Sequence, residues 1–472
     1  MKSKTRKNVK RSLTWSLITL TGFAGIFIIL PNTFPSTPAH KKPNVIIILI
    51  DTLRADHCSS YGYYRETTPH MKRIAEKGLK LENHFANAPW TKPSTASIIS
   101  GLHPTAHGSR IGQFEDLEKG NSPKVEILKP EVETMTEILK ANGYSTHAFV
   151  TNYHLTPAFG YAQGYDHYYF DPHGADKAVV CGKDKELVEN AIEVLQNNKG
   201  KPIFIWCHLM SVHGYCSPPG PGKFRAHRST PIPMDAKQPE VVKDYNFLEQ
   251  AIAGYDNSIR YTDRLVGKFF DYILAHNPNT IFIVTSDHGE EFYEHGGFEH
   301  ARTLYNEILK VPCVIWGPGV PSGVITGLTD SIDLMPTVLG NLGIGVNKNL
   351  RGRALFHENT ICNNRAKEIF AEQHHRGPYK RYALIRKGKK MILNLHKFSN
   401  ERTIEFYHHA LEIEKENVFT GSDQKGVDRF KRKINRYRRI TARYFKQVVG
   451  ELEYKDLTTE DINHIHSLGY IR

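Results

Sequence analysis

The sequence predicts an α/β fold, an open and mostly parallel sheet with helices on both sides. Three observations predict it. Apolar runs of strand length recur and end in polar residues: NVIIILID at 44–51, KPIFIWCHL at 201–209 and NTIFIVTSDHGE at 279–290. Each run is apolar at consecutive positions, as central strands covered on both faces are. Helical stretches separate them, and that alternation is the signature of parallel strands joined by crossover helices. A chain of 472 residues has room for a large core in one or two domains.

The N-terminus comes first. Lys2, Lys4, Arg6, Lys7, Lys10 and Arg11 stand there with no acid among them, and an uncharged, mostly apolar run follows from 13 to 30. The run has the length of a minimal bilayer span, and basic residues before a span stay in the cytoplasm. Residues 1–42 are therefore expected to be a basic tail, a transmembrane segment at about 12–30 and a linker. That places the rest of the chain outside the cytoplasm, on a single-pass anchor. Secretion after signal cleavage is the alternative.

Residues 43–365 are expected to form the catalytic domain. A strand at 44–50 delivers Asp51. Helices are expected at 69–78, at 94–99 behind Pro93, at 134–142 and at 245–275. THAFVT, KPIFIWCHL, NTIFIVTSDHGE and VPCVIWGPG read as further strands. After about residue 366 the texture changes. YALIRKG, KKMILNLH and TIEFYHH read as short antiparallel strands, so 366–472 is expected to be a smaller α+β subdomain. It ends in a basic helix, FKRKINRYRRITARYFK, in which Phe430, Ile434, Tyr437, Thr441, Tyr444 and Val448 make one face. Such a helix either meets anionic lipid or a polyanionic substrate, or packs its apolar face on the domain. The packed reading is preferred. The net charge of +13 draws on this helix and the N-terminal tail. No zinc-finger spacing or RNA-binding signature accompanies it, and no nucleic-acid partner is expected. The six cysteines are dispersed and show no CxxC spacing, so no thiolate metal cluster is expected. Cys207 and Cys216 are close enough in sequence to suspect a disulfide.

Active residues of open α/β sheets gather past the carboxyl ends of the strands. Asp51 and Asp287 both sit there, and His288 follows Asp287. A carboxylate behind a buried strand is costly unless it is paired or binds a cation. Two carboxylates and an imidazole suit manganese or zinc first, then magnesium or calcium. Without a metal, Asp51 would cap a helix and Asp287–Gly289 would be a turn. Thr91 lies in APWTKPSTASIISGLHP, near a helix start. There it is either an N-cap or a nucleophile aided by the helix dipole and a metal.

Blocks spread along the chain carry a resemblance. NVIIILIDTLRADHCSSYGY, TKPSTASIISGLHPTAHG, YSTHAFVTNYHLTPAFGYAQGYDHY, IWCHLMSVHGYCSPP, SDHGEEFYEHGGFEHARTLYNEILKVPCVIWGPG, SIDLMPTVLGNLGI and IEFYHHALEIEKENVF stand in the order found in the sulfatase family of the alkaline phosphatase superfamily. The chain resembles that family from about 44 to 418. The resemblance implies a central mixed, mostly parallel sheet. It implies one divalent metal held by Asp51, Asp287 and His288, with Thr91 beside it as nucleophile. It implies substrate contacts from His107, Asn152, His154 and His300, with His295 a weaker candidate, and His213 as general acid.

The sequence also departs from the family. Sulfatases carry Cys or Ser at the nucleophile position, followed by x-P-x-R, which is read for conversion to formylglycine. Here Thr91 is followed by Lys92, Pro93, Ser94 and Thr95. Threonine cannot become formylglycine. The paired opening aspartates are Asp51 and Thr52, and the lysine of the GKWH-like segment is Asn152. This pattern is closer to the superfamily's phosphodiesterases and lipid-headgroup phosphotransferases. The expected function is therefore a metal-dependent phosphoester hydrolase or phosphotransferase, acting on a phospholipid headgroup or an envelope glycan. A sulfuric-ester hydrolase without formylglycine is the alternative, and a non-catalytic sulfatase-like binding protein is the second.

Overall fold

A computed structural model describes residues 42–472 apart from 112–123, 175–178, 199, 216–222, 226–244, 346–349, 363–366, 415–416, 418–423 and 468–472. Residues Lys42–Arg472 form one compact unit. Its central sheet has nine strands: β1 (Asn44–Ile50), β2 (Leu79–Phe85), β3 (Ser145–Val150), β4 (His167–Phe170), β5 (Ile203–Leu209), β6 (Thr280–Ser286), β7 (Lys310–Val311), β8 (Cys313–Trp316) and β9 (Gly323–Asp330). The order is β7-β2-β8-β6-β1-β5-β3-β4, and β9 also pairs with β2. The pairs β1–β5, β1–β6, β3–β5, β3–β4 and β2–β9 are parallel, whereas β8 runs antiparallel to β2 and β6. All seven residues of β1, β5 and β6 are buried. Continuous apolar runs become the middle of the sheet because only there are both faces covered. Each fully buried isoleucine or valine adds roughly 1.5–3 kcal/mol of transfer free energy.

Helices cover the sheet: α1 (Pro69–Lys77), α2 (Thr91–Ser100), α3 (Met135–Ala141), α4 (Val180–Gln196), α5 (Tyr245–His276) and α6 (Leu334–Asn341). Thr134 caps α3 by accepting from the Glu137 amide, and Glu137 reaches back in a capping box. A separate four-stranded antiparallel sheet follows: β10 (Ile369–Gln373), β11 (Tyr379–Arg386), β12 (Lys389–His396) and β13 (Arg402–His408). The basic helix α7 spans Gln424–Val448 and buries Val427, Phe430, Ile434, Tyr437 and Thr441. Val427, Phe430 and Ile434 cluster with Leu384, Met391 and Phe406 of that sheet.

Two expectations are corrected. The anchor placed at about 12–30 lies outside the described residues, and no helix among the described residues is long and apolar enough to cross a membrane. The single-pass topology, with its membrane partner, therefore has no support in the fold. The suspected Cys207–Cys216 pair is also overturned. Cys207 is a free, buried cysteine in β5, and it is Cys181 in α4 that is disulfide-bonded. Proximity in sequence does not set the Cα separation that a disulfide needs.

Candidate active site

The register of the central strands assembles the site. Ile50 pairs with Ser286 across β1 and β6, and Ile50 pairs with Leu209 across β1 and β5. Residues just past the three strand ends therefore emerge side by side. Asp51 follows β1, and Asp287 and His288 follow β6. Thr52 adopts a positive φ of 59°, uncommon for a β-branched residue. That turn aims its amide at Asp287 Oδ1, 3.2 Å away, and Tyr255 holds it by donating to the Thr52 carbonyl at 2.6 Å. The Thr52 hydroxyl bonds the Asp51 carbonyl, so its oxygen is committed locally. Gly289 is required for a different reason from a sharp turn: a Cβ there would collide with the Glu307 carbonyl.

Thr91 is the first residue of α2, not its cap; Trp90 holds the cap position and makes no side-chain capping bond. The opening amides of the helix thus face the site with the positive end of its dipole. Ser94 ties the helix to the sheet by donating to the Asp287 carbonyl at 2.5 Å. Thr91 Oγ1 lies 3.2 Å from Asp51 Oδ2 and 3.3 Å from His288 Nε2. Asn152 Nδ2 donates to Asp51 Oδ2 at 2.9 Å and reaches Thr91 Oγ1 at 3.4 Å.

Asp51, Asp287 and His288 offer ligand atoms that lie within 4.8 Å of one another, and all three residues are buried. His288 Nδ1 donates to the Gly289 carbonyl at 2.9 Å, which leaves Nε2 as the lone-pair nitrogen. Nε2 sits 3.7 Å from Asp51 Oδ1 and 3.4 Å from Asp287 Oδ2. Those same two oxygens have no hydrogen-bond donor. Two buried carboxylates each with an orphaned oxygen, converging with an imidazole lone pair, fit a divalent cation and fit little else. Burial and the charge of Asp51 push Asp287 up to about 6. Burial works against ionised Asp51 as well, but the hydrogen bond from His208 and the nearby histidines hold it well below the usual carboxylate range.

Three histidines expected to contact substrate have these surroundings. His300 has its ring 4.4 Å from His288 and 5.3 Å from His213, and its Nδ1 is 3.0 Å from Glu290 Oε1. His213 rides on the turn after β5. Asp184 of α4 fixes that turn by accepting from the Met210 and Ser211 amides at 2.8 and 2.7 Å. His154 is buried with its ring 5.3 Å from Trp90, and burial brings it down to about 3.

Two candidates are committed elsewhere. His107 bonds Ser97 Oγ through Nε2 and accepts from the Ser109 amide at Nδ1. His295 lies 2.6 Å from Glu307 Oε1 and 2.7 Å from the Glu414 carbonyl, with its ring stacked on Tyr305. Glu291, His295 and Glu307 form the second cluster whose side chains could hold a cation.

His208 was not singled out from the sequence, yet its Nε2 is 3.2 Å from Asp51 Oδ2. Burial opposes its protonation, but the bond to Asp51 raises it overall. The available signal was an imidazole inside an otherwise apolar strand. Lys92 and His375 were also missed. Lys92 is buried and donates to the Glu126 carbonyl, and burial lowers it to about 7. His375 stacks on Trp90 at 4.4 Å.

Comparisons with known proteins identify the family. The sulfatase family model matches residues 43–344. The N-acetylglucosamine-6-O-sulfatase of Bacteroides thetaiotaomicron is 23% identical, covering 68% of this chain and 71% of that enzyme. Steryl-sulfatase of Mus musculus is 34% identical, but over 27% of this chain and only 20% of its own length. The solved phosphonate monoester hydrolase of Agrobacterium radiobacter superposes with a TM-score of 0.66 at 16% identity, covering 85% of this chain and 96% of that one. At that identity the superposition speaks for the fold alone. The family match, with relatives named for sulfate esters, overturns the phosphoester hydrolase and phosphotransferase expectation, including the phospholipid-headgroup substrate, in favour of its sulfuric-ester alternative. The departures at Thr91 and Asn152 were given too much weight against blocks that run most of the chain. This chain belongs to the sulfatase family and is a hydrolase acting on sulfate or related esters.

Proposed function

We propose that the protein hydrolyses a sulfate ester of a sugar, at a metal centre built around an unmodified Thr91. One observation carries the reading: the buried, cation-demanding set Asp51, Asp287 and His288 converges on Thr91 Oγ1 in a chain of the sulfatase family. The sugar is inferred from relatives, among them an N-acetylglucosamine-6-O-sulfatase and a Δ4,5-hexuronate-2-O-sulfatase. The donor set suits one divalent ion, manganese or zinc before calcium or magnesium. When bound, such an ion lowers the pKa of a nearby hydroxyl and draws charge from a sulfuryl oxygen.

The residues do the rest. Asp51 Oδ2 accepts the Thr91 hydrogen and Asn152 Nδ2 donates toward Oγ1, which leaves a lone pair on Oγ1 for sulfur. Attack forms the Oγ1–S bond and breaks the bond from sulfur to the sugar oxygen. The Thr91 proton passes to Asp51, and His213 protonates the departing sugar oxygen. The N-terminal amides of α2 stabilise the sulfuryl oxygens. Water then attacks sulfur, breaks the Oγ1–S bond and releases sulfate; the Asp51 proton returns to Thr91 Oγ1, one water proton returns to His213, and the other leaves to solvent with the product. Asn152, His154 and His300 line the substrate side in this reading.

The test is sulfate release from N-acetylglucosamine 6-sulfate and from an aryl sulfate, with each of the four metals, by wild type and Thr91→Ala. Metal-dependent release that Thr91→Ala abolishes is the expected result. Release undiminished in Thr91→Ala would remove Thr91 from the chemistry.

A further inference from the structure

Helix α7 packs Val427, Phe430 and Ile434 on the second sheet and Tyr444, Phe445 and Val448 on the main core, and its other faces are crowded with cations. One of these faces closes a cavity of about 910 Å³. Arg110, Lys380, Arg432, Arg436, Arg438 and Arg439 line it, and no carboxylate does. Arg432, Arg436 and Arg439 stand at i, i+4 and i+7, so they share one helix face. All three are exposed, and no acid among the described residues pairs with them. Arg110 and Arg438 are held in place instead. Arg110 pairs with Glu126 at 2.9 Å, and Arg438 lies over the Tyr382 ring at 4.6 Å.

Unpaired like charges around one concavity repel each other, and a polyanion relieves that repulsion. Guanidinium forks match the oxygens of a sulfate group better than ammonium groups do. One short run of chain links the cavity to the candidate active site. His374 lines it, and the next residue, His375, stacks on Trp90, which directly precedes Thr91. From these observations we infer that the cavity is an anion subsite for a sulfated sugar chain. It holds sulfates of the polymer while one sulfate ester lies at Thr91. This rests on the sugar-sulfate reading for the identity of the chain, while the binding itself can be measured without turnover.

The experiment uses the full chain and dextran sulfate as probe. Arg432→Ala, Arg436→Ala and Arg439→Ala are combined in one variant. A control removes the same charge from α7 away from the cavity, through Lys425→Ala, Lys431→Ala and Lys446→Ala. Equal thermal midpoints show that both variants fold. The subsite predicts at least tenfold weaker dextran sulfate binding in the arginine variant and less than threefold in the control. It also predicts unchanged turnover of N-acetylglucosamine 6-sulfate by the arginine variant. Equal losses in the two variants would overturn the subsite in favour of diffuse charge. Binding of wild type to phosphatidylglycerol vesicles but not to dextran sulfate would overturn it in favour of a lipid surface. Should wild type release no sulfate from any ester, the catalytic reading fails, and the binding comparison still decides the subsite.

Discussion

Two clusters of the same side-chain types lie past the sheet, and they solve their electrostatics in opposite ways. At Asp51, Asp287 and His288, each carboxylate keeps one oxygen without a donor, and the histidine points a lone pair between them. At Glu291, His295 and Glu307, the cluster supplies most of its own partners. Glu291 accepts from the Gly297 amide at 2.8 Å and from Thr303 at 3.4 Å, and His295 meets Glu307 at 2.6 Å. Only Glu307 Oε2 is left without a donor. Both ring nitrogens of His295 face acceptors, the Glu307 carboxylate and the Glu414 carbonyl, which suits an imidazolium as the counter-charge; burial opposes that charge, but the bond to Glu307 raises the pKa of His295 overall. Both places bring two carboxylates and one imidazole together with ligand atoms within 4.8 Å of one another. What distinguishes a site that demands a cation is the unsatisfied remainder.

The sharpest way to break this comparison is at the nucleophile. Thr91→Ala should lower sulfate-ester turnover on the order of 10³-fold or more with little change in unfolding, since the site gains no charge. Steady-state kinetics beside a denaturant titration check both halves.

Next comes metal linkage. A saturating divalent ion should stabilise wild type by roughly 3–4 kcal/mol at 100–1,000 times its Kd, read as a rise in thermal midpoint that a chelator reverses. Asp287→Asn should abolish that rise without destabilising the metal-free protein, because it removes one of two facing carboxylates. His295→Ala should keep the rise. If His295→Ala abolished it and Asp287→Asn did not, the two clusters would have exchanged roles.

His295→Ala should in turn destabilise the protein by roughly 2–3 kcal/mol, because Glu307 is left buried and unpaired. A smaller effect concerns pH. The folded-state pKa of His295 is raised above its ordinary value of 6.5, so its stabilisation is fully present below about 6.5 and fades as pH rises through the folded value. The stability gap between wild type and His295→Ala should therefore narrow as pH rises above about 6.5. Denaturant midpoints across that range measure it, and a gap that widens with pH would contradict the ion pair.

Much of this was legible in the sequence, for identifiable reasons. Unbroken apolar runs can be buried on both faces only in mid-sheet, which marked β1, β5 and β6. Asp51 and Asp287 stood out because a carboxylate directly after such a run needs a partner. Pro69, Pro93 and Thr134 marked helix starts through backbone chemistry that needs no tertiary contact. What was not legible depends on contacts distant in the chain. His208 reads as a strand residue until β1 and β5 are paired. His295 reads as a site histidine until Glu414 reaches it from 119 residues away. Gly289 reads as a turn until the Glu307 carbonyl is seen against it. The choice between phosphate and sulfate was misjudged because the missing formylglycine signal reports how the nucleophile is made, not which ester it attacks.

The most direct measurement is a competition between esters on one enzyme sample. Metal-loaded wild type and Thr91→Ala are given N-acetylglucosamine 6-sulfate and an aryl phosphodiester, and released sulfate and phenol are quantified. The account predicts sulfate release from the sugar ester that exceeds diester turnover and vanishes in Thr91→Ala. Diester turnover with no sulfate released would contradict it.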